Sequence, residues 1–199
     1  AAMQEAVPVG TGAMAAILGL EASRVIAGCV EAMALWGPDA GEVVEAVNFN
    51  DPIQTVIAGT KAAVDKACEI LKAAGAKRTL PLPVSAPFHS SLMKPAAEKL
   101  RAALAGLALA APQIPVLNNV DVTVQHDADA IRDALYRQAF SPVRWVACVH
   151  ALNAMGVTHL IESGPGKVLA GLTRRIDPEL VGPALFDLAT LAETRALVA

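Results

Sequence analysis

Apolar and polar positions divide this chain into two stretches with different habits. Ala13-Met14-Ala15-Ala16-Ile17-Leu18-Gly19-Leu20 is a short apolar run closing on glycine, and reads as a strand despite its alanines. Residues 21–34 carry Val25, Ile26, Cys29, Val30 and Met33 at helical spacing. Trp36-Gly37-Pro38-Asp39 is a loop, residues 42–49 are β-rich, Asn50-Asp51-Pro52 is a turn, and residues 54–58 form a strand. Residues 61–74 place Val64, Ala67, Cys68 and Leu71 on one helical face, and Gly75 sits where a glycine ends a helix. Residues 76–82 are extended again. Strand, helix, strand, strand, helix, strand is the ferredoxin-like βαββαβ order, which hosts many activities and so says little about function.

Beyond residue 86 the pattern loosens. It predicts helices over 92–107 and 129–140, with a strand over 116–124 between them that includes Asn118-Asn119. Another helix starts at Ser141-Pro142 and runs through Trp145 and Val149 to Leu152. His159-Leu160-Ile161-Glu162 is a short strand, Ser163-Gly164-Pro165-Gly166 a turn, and residues 167–176 a helix. A strand over 184–188 and a helix from about Ala189 close the chain. This half reads as part of an α/β layer, with too few strands for a sheet of its own.

Composition narrows the class. An apolar fraction of 54% over 199 residues supplies a substantial core, and 18% charged residues amid regular turn signals argue against disorder. Net charge is −3 and aromatics are 4%, so neither the positive footprint nor the stacking platform of a nucleic-acid binder is present. The richest apolar stretch, residues 100–117, contains Arg101, Pro112 and Pro115, which exclude a membrane span there. Glu5 and Pro8 interrupt the start, unlike a secretory signal. Cys29, Cys68 and Cys148 are far apart and without CxxC spacing, which suits reduced, buried thiols in the cytoplasm and argues against zinc. The opening Ala1-Ala2-Met3-Gln4 lacks an initiator context, as a piece of a longer protein would.

Candidate chemistry begins at His89, in Val84-Ser85-Ala86-Pro87-Phe88-His89-Ser90-Ser91, where an extended segment gives way to a helix. The positive end of a helix macrodipole disfavours imidazolium, and a neutral ring there accepts a proton from a hydroxyl. From spacing alone, a histidine that caps or packs is the default reading. Gln138 ends a helix before a sharp turn, and by default is an exposed last-turn residue. Asn48 and Asn50 flank Phe49 at period-two spacing, which puts both on one strand face as turn formers or rim donors. Ser163-Gly164-Pro165-Gly166-Lys167 resembles a phosphate loop but lacks GxxxxGK[ST] spacing, and Pro165 removes an amide, so a structural βα turn is the better reading. No GxSxG elbow occurs. Ser90 and Ser91 look like helix-start residues, while Ser85, Ser141 and Ser163 look like turn formers. Lys77-Arg78 and Arg174-Arg175 are by default solvated charge, although a cationic patch suits an acidic partner. His126, His150 and His159 show no metal-ligand spacing.

In combination, these stretches resemble the malonyl-CoA:acyl carrier protein transacylases of fatty acid synthesis. The matching segments are Met3-Gln4-Glu5-Ala6-Val7-Pro8, Gly10-Thr11-Gly12-Ala13-Met14, Asn48-Phe49-Asn50, Ala76-Lys77-Arg78 and Leu80-Pro81-Leu82-Pro83. They continue with Phe88-His89-Ser90, Asn118-Asn119-Val120, Arg137-Gln138, Pro142-Val143 and Glu162 with Gly164-Pro165-Gly166-Lys167-Val168-Leu169. The resemblance implies an α/β-hydrolase-like large domain, here residues 1–12 and 87–199, with an inserted ferredoxin-like small domain at 13–86. It implies a serine that takes malonyl from coenzyme A as an ester and passes it to the phosphopantetheine thiol of acyl carrier protein. Malonyl-CoA is then a substrate, and no cofactor or metal is implied.

By the same resemblance His89 is the catalytic histidine, and Gln138 the glutamine whose backbone carbonyl orients its ring. Phe88 goes with malonyl over methylmalonyl, Asn48 and Asn50 lie with the substrate, and Lys77, Arg78, Arg174 and Arg175 face the carrier protein. The family's GHSxG serine, an oxyanion-hole segment and a malonyl-pairing arginine have no counterpart in this chain. The expectation is therefore the C-terminal part of a transacylase, inactive alone. Competing readings are a non-catalytic module that binds acyl carrier protein, a ferredoxin-like sensor of a small ligand, and a methylmalonyl-preferring acyltransferase.

Overall fold

The strand expected at the start is β1 (Gly12–Leu18), and it lies inside a four-stranded antiparallel sheet. The computed structural model of this chain describes residues 7–8, 10–37, 39–84 and 86–198. Met3-Gln4-Glu5-Ala6, Pro38 and Ser85, all used in the sequence reading, lie outside the described residues. After β1 come α1 (Ala22–Ala34), β2 (Val44–Asp51), β3 (Gln54–Thr60), α2 (Lys61–Ala73) and β4 (Arg78–Pro81), the series expected of residues 13–86. The sheet order is β2-β3-β1-β4, so β2 and β4 are its edges. Gly75 has φ 103°, the left-handed conformation in which a glycine closes a helix such as α2 without strain.

Alternation along the strands builds a core on each face. Ala15, Ile17 and Ile57 pack with Val25, Cys29 and Ala32 of α1 and Val64, Ala67 and Leu71 of α2. Met14, Ala16, Val56, Ala58 and Val47 form the opposite face, against which Leu82 and Phe88 pack. Ile17, Ile57 and Leu71 are fully buried, and each such side chain contributes roughly 1.5–3 kcal/mol.

The edge strand β2 is irregular. Its pairing with β3 shifts register between Ala46 and Asn48 and again between Phe49 and Asp51. The second shift falls at Asn50, so the strict period-two alternation expected from Asn48 to Asn50 is interrupted there. On its outer side β2 takes up a single further residue. The Val143 amide donates to the Val47 carbonyl at 2.8 Å, and the Phe49 amide donates to the Val143 carbonyl at 2.9 Å.

Residues 91–144 hold two helices with a long irregular connection between them. A single 3-10 turn (Ser91–Met93) leads into α3 (Lys94–Ala105), shorter than the expected 92–107. The strand expected over 116–124 is instead a tight hairpin of β5 (Leu117–Asn118) and β6 (Thr123–Val124). Asn118 makes the turn: its Oδ1 accepts the Asp121 amide at 2.8 Å, and its Nδ2 donates to the Thr123 carbonyl at 2.8 Å. Then α4 (Ala128–Gln138) begins at Asp127, whose carboxylate accepts the amides of Asp129 and Ala130.

The chain divides into two compact units, residues 1–144 and 145–199. The second holds α5 (Trp145–Ala154), β7 (Glu162–Ser163), α6 (Val168–Ile176), β8 (Ala184–Leu185) and α7 (Leu188–Val198). The helix expected from Ser141-Pro142 thus begins at Trp145. The strand expected over 159–162 survives as one bridge from His159 to Val181 and the short parallel pair β7–β8. The strand expected over 184–188 stops at Leu185, because Asp187 and Thr190 cap α7 reciprocally: Oδ1 accepts the Thr190 amide at 2.8 Å and Oγ1 accepts the Asp187 amide at 3.0 Å. No described helix is long and apolar enough to cross a membrane.

Candidate active site

His89 sits at the tip of a tight turn whose neighbours are anchored. Pro87, Ser90 and Met93 are fully buried, and His89 itself is half-buried. Ser90 points both donors at one acceptor: its amide and its Oγ reach the Pro87 carbonyl at 3.3 and 2.6 Å. The next amide, that of Ser91, donates to Glu45 Oε2 of β2 at 2.7 Å. So Ser90 and Ser91 stand at the start of the 3-10 turn, the helix-start positions expected from sequence, but with no side-chain cap bond; their bonds fasten the turn instead. Gly12, at the start of β1, lies under it; a Cβ there would come within 2.5 Å of Pro87 Cδ, a rigid ring atom.

The backbone of His89 has φ 64°. A left-handed conformation is uncommon for any residue with a Cβ, and such outliers gather at functional sites. Its consequence is the direction of the ring. His89 Nδ1 lies 3.2 Å from the backbone carbonyl oxygen of Gln138. A carbonyl only accepts, so in the neutral ring Nδ1 carries the hydrogen and Nε2 the lone pair.

Gln138 has a carbonyl to offer because it is the last residue of α4, where carbonyls lack intrahelical partners. Those of Tyr136 and Arg137 are taken by the amides of Ala139 and Phe140 at 3.3 and 3.2 Å. The one after them meets the imidazole. Gln138 is also half-buried rather than an exposed last-turn residue, and it lines a largely apolar cavity of about 260 Å³ with Pro112, Val116, Asn118, Ile131 and Leu135.

Of the other residues singled out, Phe88 packs against Met14, Ala16, Val47, Val56 and Ala58, which places it on the sheet face away from α1 and α2. Asn48 lies opposite Val143, five residues after Gln138, so the edge of β2 runs past the end of α4. Asn50 lies within the second bulge, between Phe49 and Asp51. Lys77 and Arg78 are exposed at the start of β4. Two cations missed by the sequence reading join them there: Lys72 Nζ donates to the Lys77 carbonyl at 3.1 Å, and Arg24 to the Ala74 carbonyl at 2.5 Å. Arg174 and Arg175 are exposed in the last turn of α6, in the second unit.

The Gly-Pro-Gly turn is structural in its bonding. The Glu162 carboxylate accepts the amides of Val168 and Ala170 at 3.2 and 2.8 Å, occupying the donors that would cradle a phosphate. Among the described residues no group of three or more His, Cys, Asp or Glu is gathered as metal ligands.

The sequence reading also missed the polar fastening of α4. Arg137 places NH1 and NH2 on the two oxygens of Asp121 at 2.5 and 2.7 Å, and Nε on Asp133 at 2.6 Å. The Arg137 hydrogen bonds hold the Asp121 carboxyl below its ordinary range, and Asp121 in turn raises the guanidinium. Arg132 donates to the Leu104 and Leu107 carbonyls, and Tyr136 Oη to Glu98 of α3 at 2.6 Å.

No family model matches the chain. The malonyl CoA-acyl carrier protein transacylase of Escherichia coli (strain K12) is 55% identical over 190 residues, which is 96% of this chain and 60% of that protein. The protein of the same name from Bacillus subtilis (strain 168) is 43% identical over 189 residues, 95% of this chain and 58% of that protein. Among solved structures, acyl-carrier-protein s-malonyltransferase from Burkholderia pseudomallei 1710b superposes with a TM-score of 0.91 at 64% identity, covering 97% of this chain and 61% of that one. A malonyl-transacylase solved in complex with its type II PKS acyl-carrier protein gives 0.91 at 51% identity, covering 96% and 60%. The chain thus spans about three fifths of the length of the relatives it matches. Over nearly all of its own length it is similar, in sequence and in α/β fold, to malonyl CoA-acyl carrier protein transacylases.

Proposed function

We propose that this chain carries the base and the small domain of an acyltransferase that moves malonyl from coenzyme A to the phosphopantetheine thiol of acyl carrier protein. The observation that carries the reading is the His89–Gln138 contact, in which a carbonyl does what a carboxylate does in a serine–histidine–aspartate triad. With Nδ1 committed to Gln138, Nε2 is the atom that accepts a hydroxyl proton during ester formation. The same atom returns a proton to the leaving thiolate of coenzyme A, and the steps recur with the carrier thiol. The hydroxyl is that of a serine in polypeptide corresponding to the unmatched two fifths of the relatives. The chain alone is then inactive, since neither the nucleophile nor the oxyanion donors belong to it.

In this reading residues 13–86 are the ferredoxin-like small domain, supported by the βαββαβ series and the β2-β3-β1-β4 order, and residues 1–12 with 87–199 belong to the hydrolase-like large one. Phe88 stands next to the base with its ring against the sheet, and its bulk disfavours an α-methyl group on the acyl chain. Asn48 and Asn50 line the approach from β2. Lys77 and Arg78, with Arg174 and Arg175, meet the acidic carrier, supported by their exposure.

The test is intact-mass measurement of the chain with malonyl-CoA, repeated after adding the unmatched segment of the Escherichia coli relative. A malonyl adduct confined to the complemented sample, on the added serine, is the expected result. An adduct on the chain alone means a nucleophile lies within it, and no adduct in either sample overturns the acyltransferase reading in favour of a non-catalytic carrier-binding module.

A further inference from the structure

We infer that Arg137 and Asp121 are a positioning pair: they aim the Gln138 carbonyl and, through it, the ring of His89. The inference rests on reading His89 as the base, and it assigns a role to a clamp that touches neither substrate nor imidazole.

The reasoning starts from the weakness of helix ends. Gln138 is the terminal residue of α4, and the last turn of a helix is its least constrained part because its carbonyls lack partners. Yet the bond to His89, at 3.2 Å, is already at the long end for N–H···O and weakens with a small tilt of the carbonyl. Something outside the helix must hold that peptide. Arg137 is the adjoining residue, and its guanidinium is committed in three directions. Nε bonds Asp133 one turn back on the same helix, while the two terminal nitrogens bond Asp121 on the β5–β6 hairpin. A two-pronged pairing fixes the plane of both groups, which a single contact does not.

The hairpin end of the clamp is equally constrained. The Asp121 amide donates to Asn118 Oδ1 at 2.8 Å, the Val122 amide to the Asn118 carbonyl at 3.0 Å, and Asn118 Nδ2 to the Thr123 carbonyl. A continuous set of bonds therefore runs from the hairpin through Asp121 and Arg137 to the peptide whose oxygen holds His89. The other fastenings of α4 act elsewhere. Arg132 ties the first half of the helix to the carbonyls after α3, and Tyr136 reaches α3 by one hydroxyl.

The experiment is a long-range proton–nitrogen NMR correlation of the four imidazoles in the ¹⁵N-labelled chain, at a pH where the rings are neutral. In the unaltered chain His89 is expected in the Nδ1–H form; the opposite tautomer there overturns the His89–Gln138 dyad itself. In Arg137→Met and Asp121→Asn, His89 alone loses its preference and becomes a mixture of tautomers, while His126, His150 and His159 keep their signals. Asp121→Glu, which retains the carboxylate, retains the preference. A merely structural clamp would change the melting temperature without this selective loss. If His89 stays Nδ1–H in folded Asp121→Asn and Arg137→Met, the positioning role is wrong although the dyad stands. Should Arg137→Met fail to fold, the milder Asp121→Asn decides alone.

Discussion

At the scale of single residues, the site depends on a backbone angle that the side chain does not favour. His89 is held at φ 64° by buried neighbours on both sides, Pro87 and Ser90. For a residue with a Cβ the left-handed region costs roughly 1–2 kcal/mol, and glycine escapes that cost. His89→Gly is therefore expected to unfold at higher urea than His89→Ala, by an amount corresponding to about 1 kcal/mol. Equal midpoints for the two would show that the turn relaxes when the ring is gone. None of this was legible in the sequence. His89 could be noticed, but the left-handed turn arises from the double donation of Ser90 to Pro87 and the tight seat over Gly12, which are tertiary facts.

Among the elements, α4 matters most, because one of its ends is a working part. Its sequence limits were readable to within two residues, since Asp127 is a strong N-cap and its apolar face has helical spacing. Removing the cap by Asp127→Ala frees the Asp129 and Ala130 amides and should lower stability by about 1 kcal/mol, measured by thermal unfolding. The His89–Gln138 bond lies at the far end of α4, so the NMR signature of that ring is expected to persist. The expected strand over 116–124 failed for a local reason: Asn118 bonds the Asp121 amide and folds the chain back, which alternation does not reveal. The same hairpin presents Asp121 to Arg137. One turn thus both ends the strand and builds the clamp.

Over the whole molecule, the stretch from β1 to β4 was legible because β1 and β3 alternate between two cores and each helix carries one apolar stripe, so local pattern and tertiary burial agree there. The later part was less so, since its strands are two residues long and are set by pairing partners rather than by their own sequence. Burial also decides a global property. Cys29 and Cys68 lie in the α1–α2 layer, and loss of hydration, the larger cause, pushes their thiols from 9.0 to about 12 and about 11. Between those limits the unfolded thiols ionise while the folded ones stay protonated, so the unfolded state is favoured as pH rises. Stability attributable to this pair is fully present below about pH 9 and lost towards about pH 12. Urea midpoints of wild type should therefore fall in that interval more steeply than those of a Cys29→Ala, Cys68→Ala chain.

The bulges of β2 have a bearing on solubility. An exposed sheet edge is a template on which a second chain can add a strand, and both edges of this sheet are spoiled for that purpose. The edge at β2 is broken twice in register and partly covered by Val143, while β4 is four residues long and ends in Pro81. Apolar side chains are open in each unit, Ile114 and Val116 in one and Val168 and Leu188 in the other. Self-association of this chain would therefore proceed through side-chain stickiness and give amorphous, dispersible aggregates rather than cross-β fibrils.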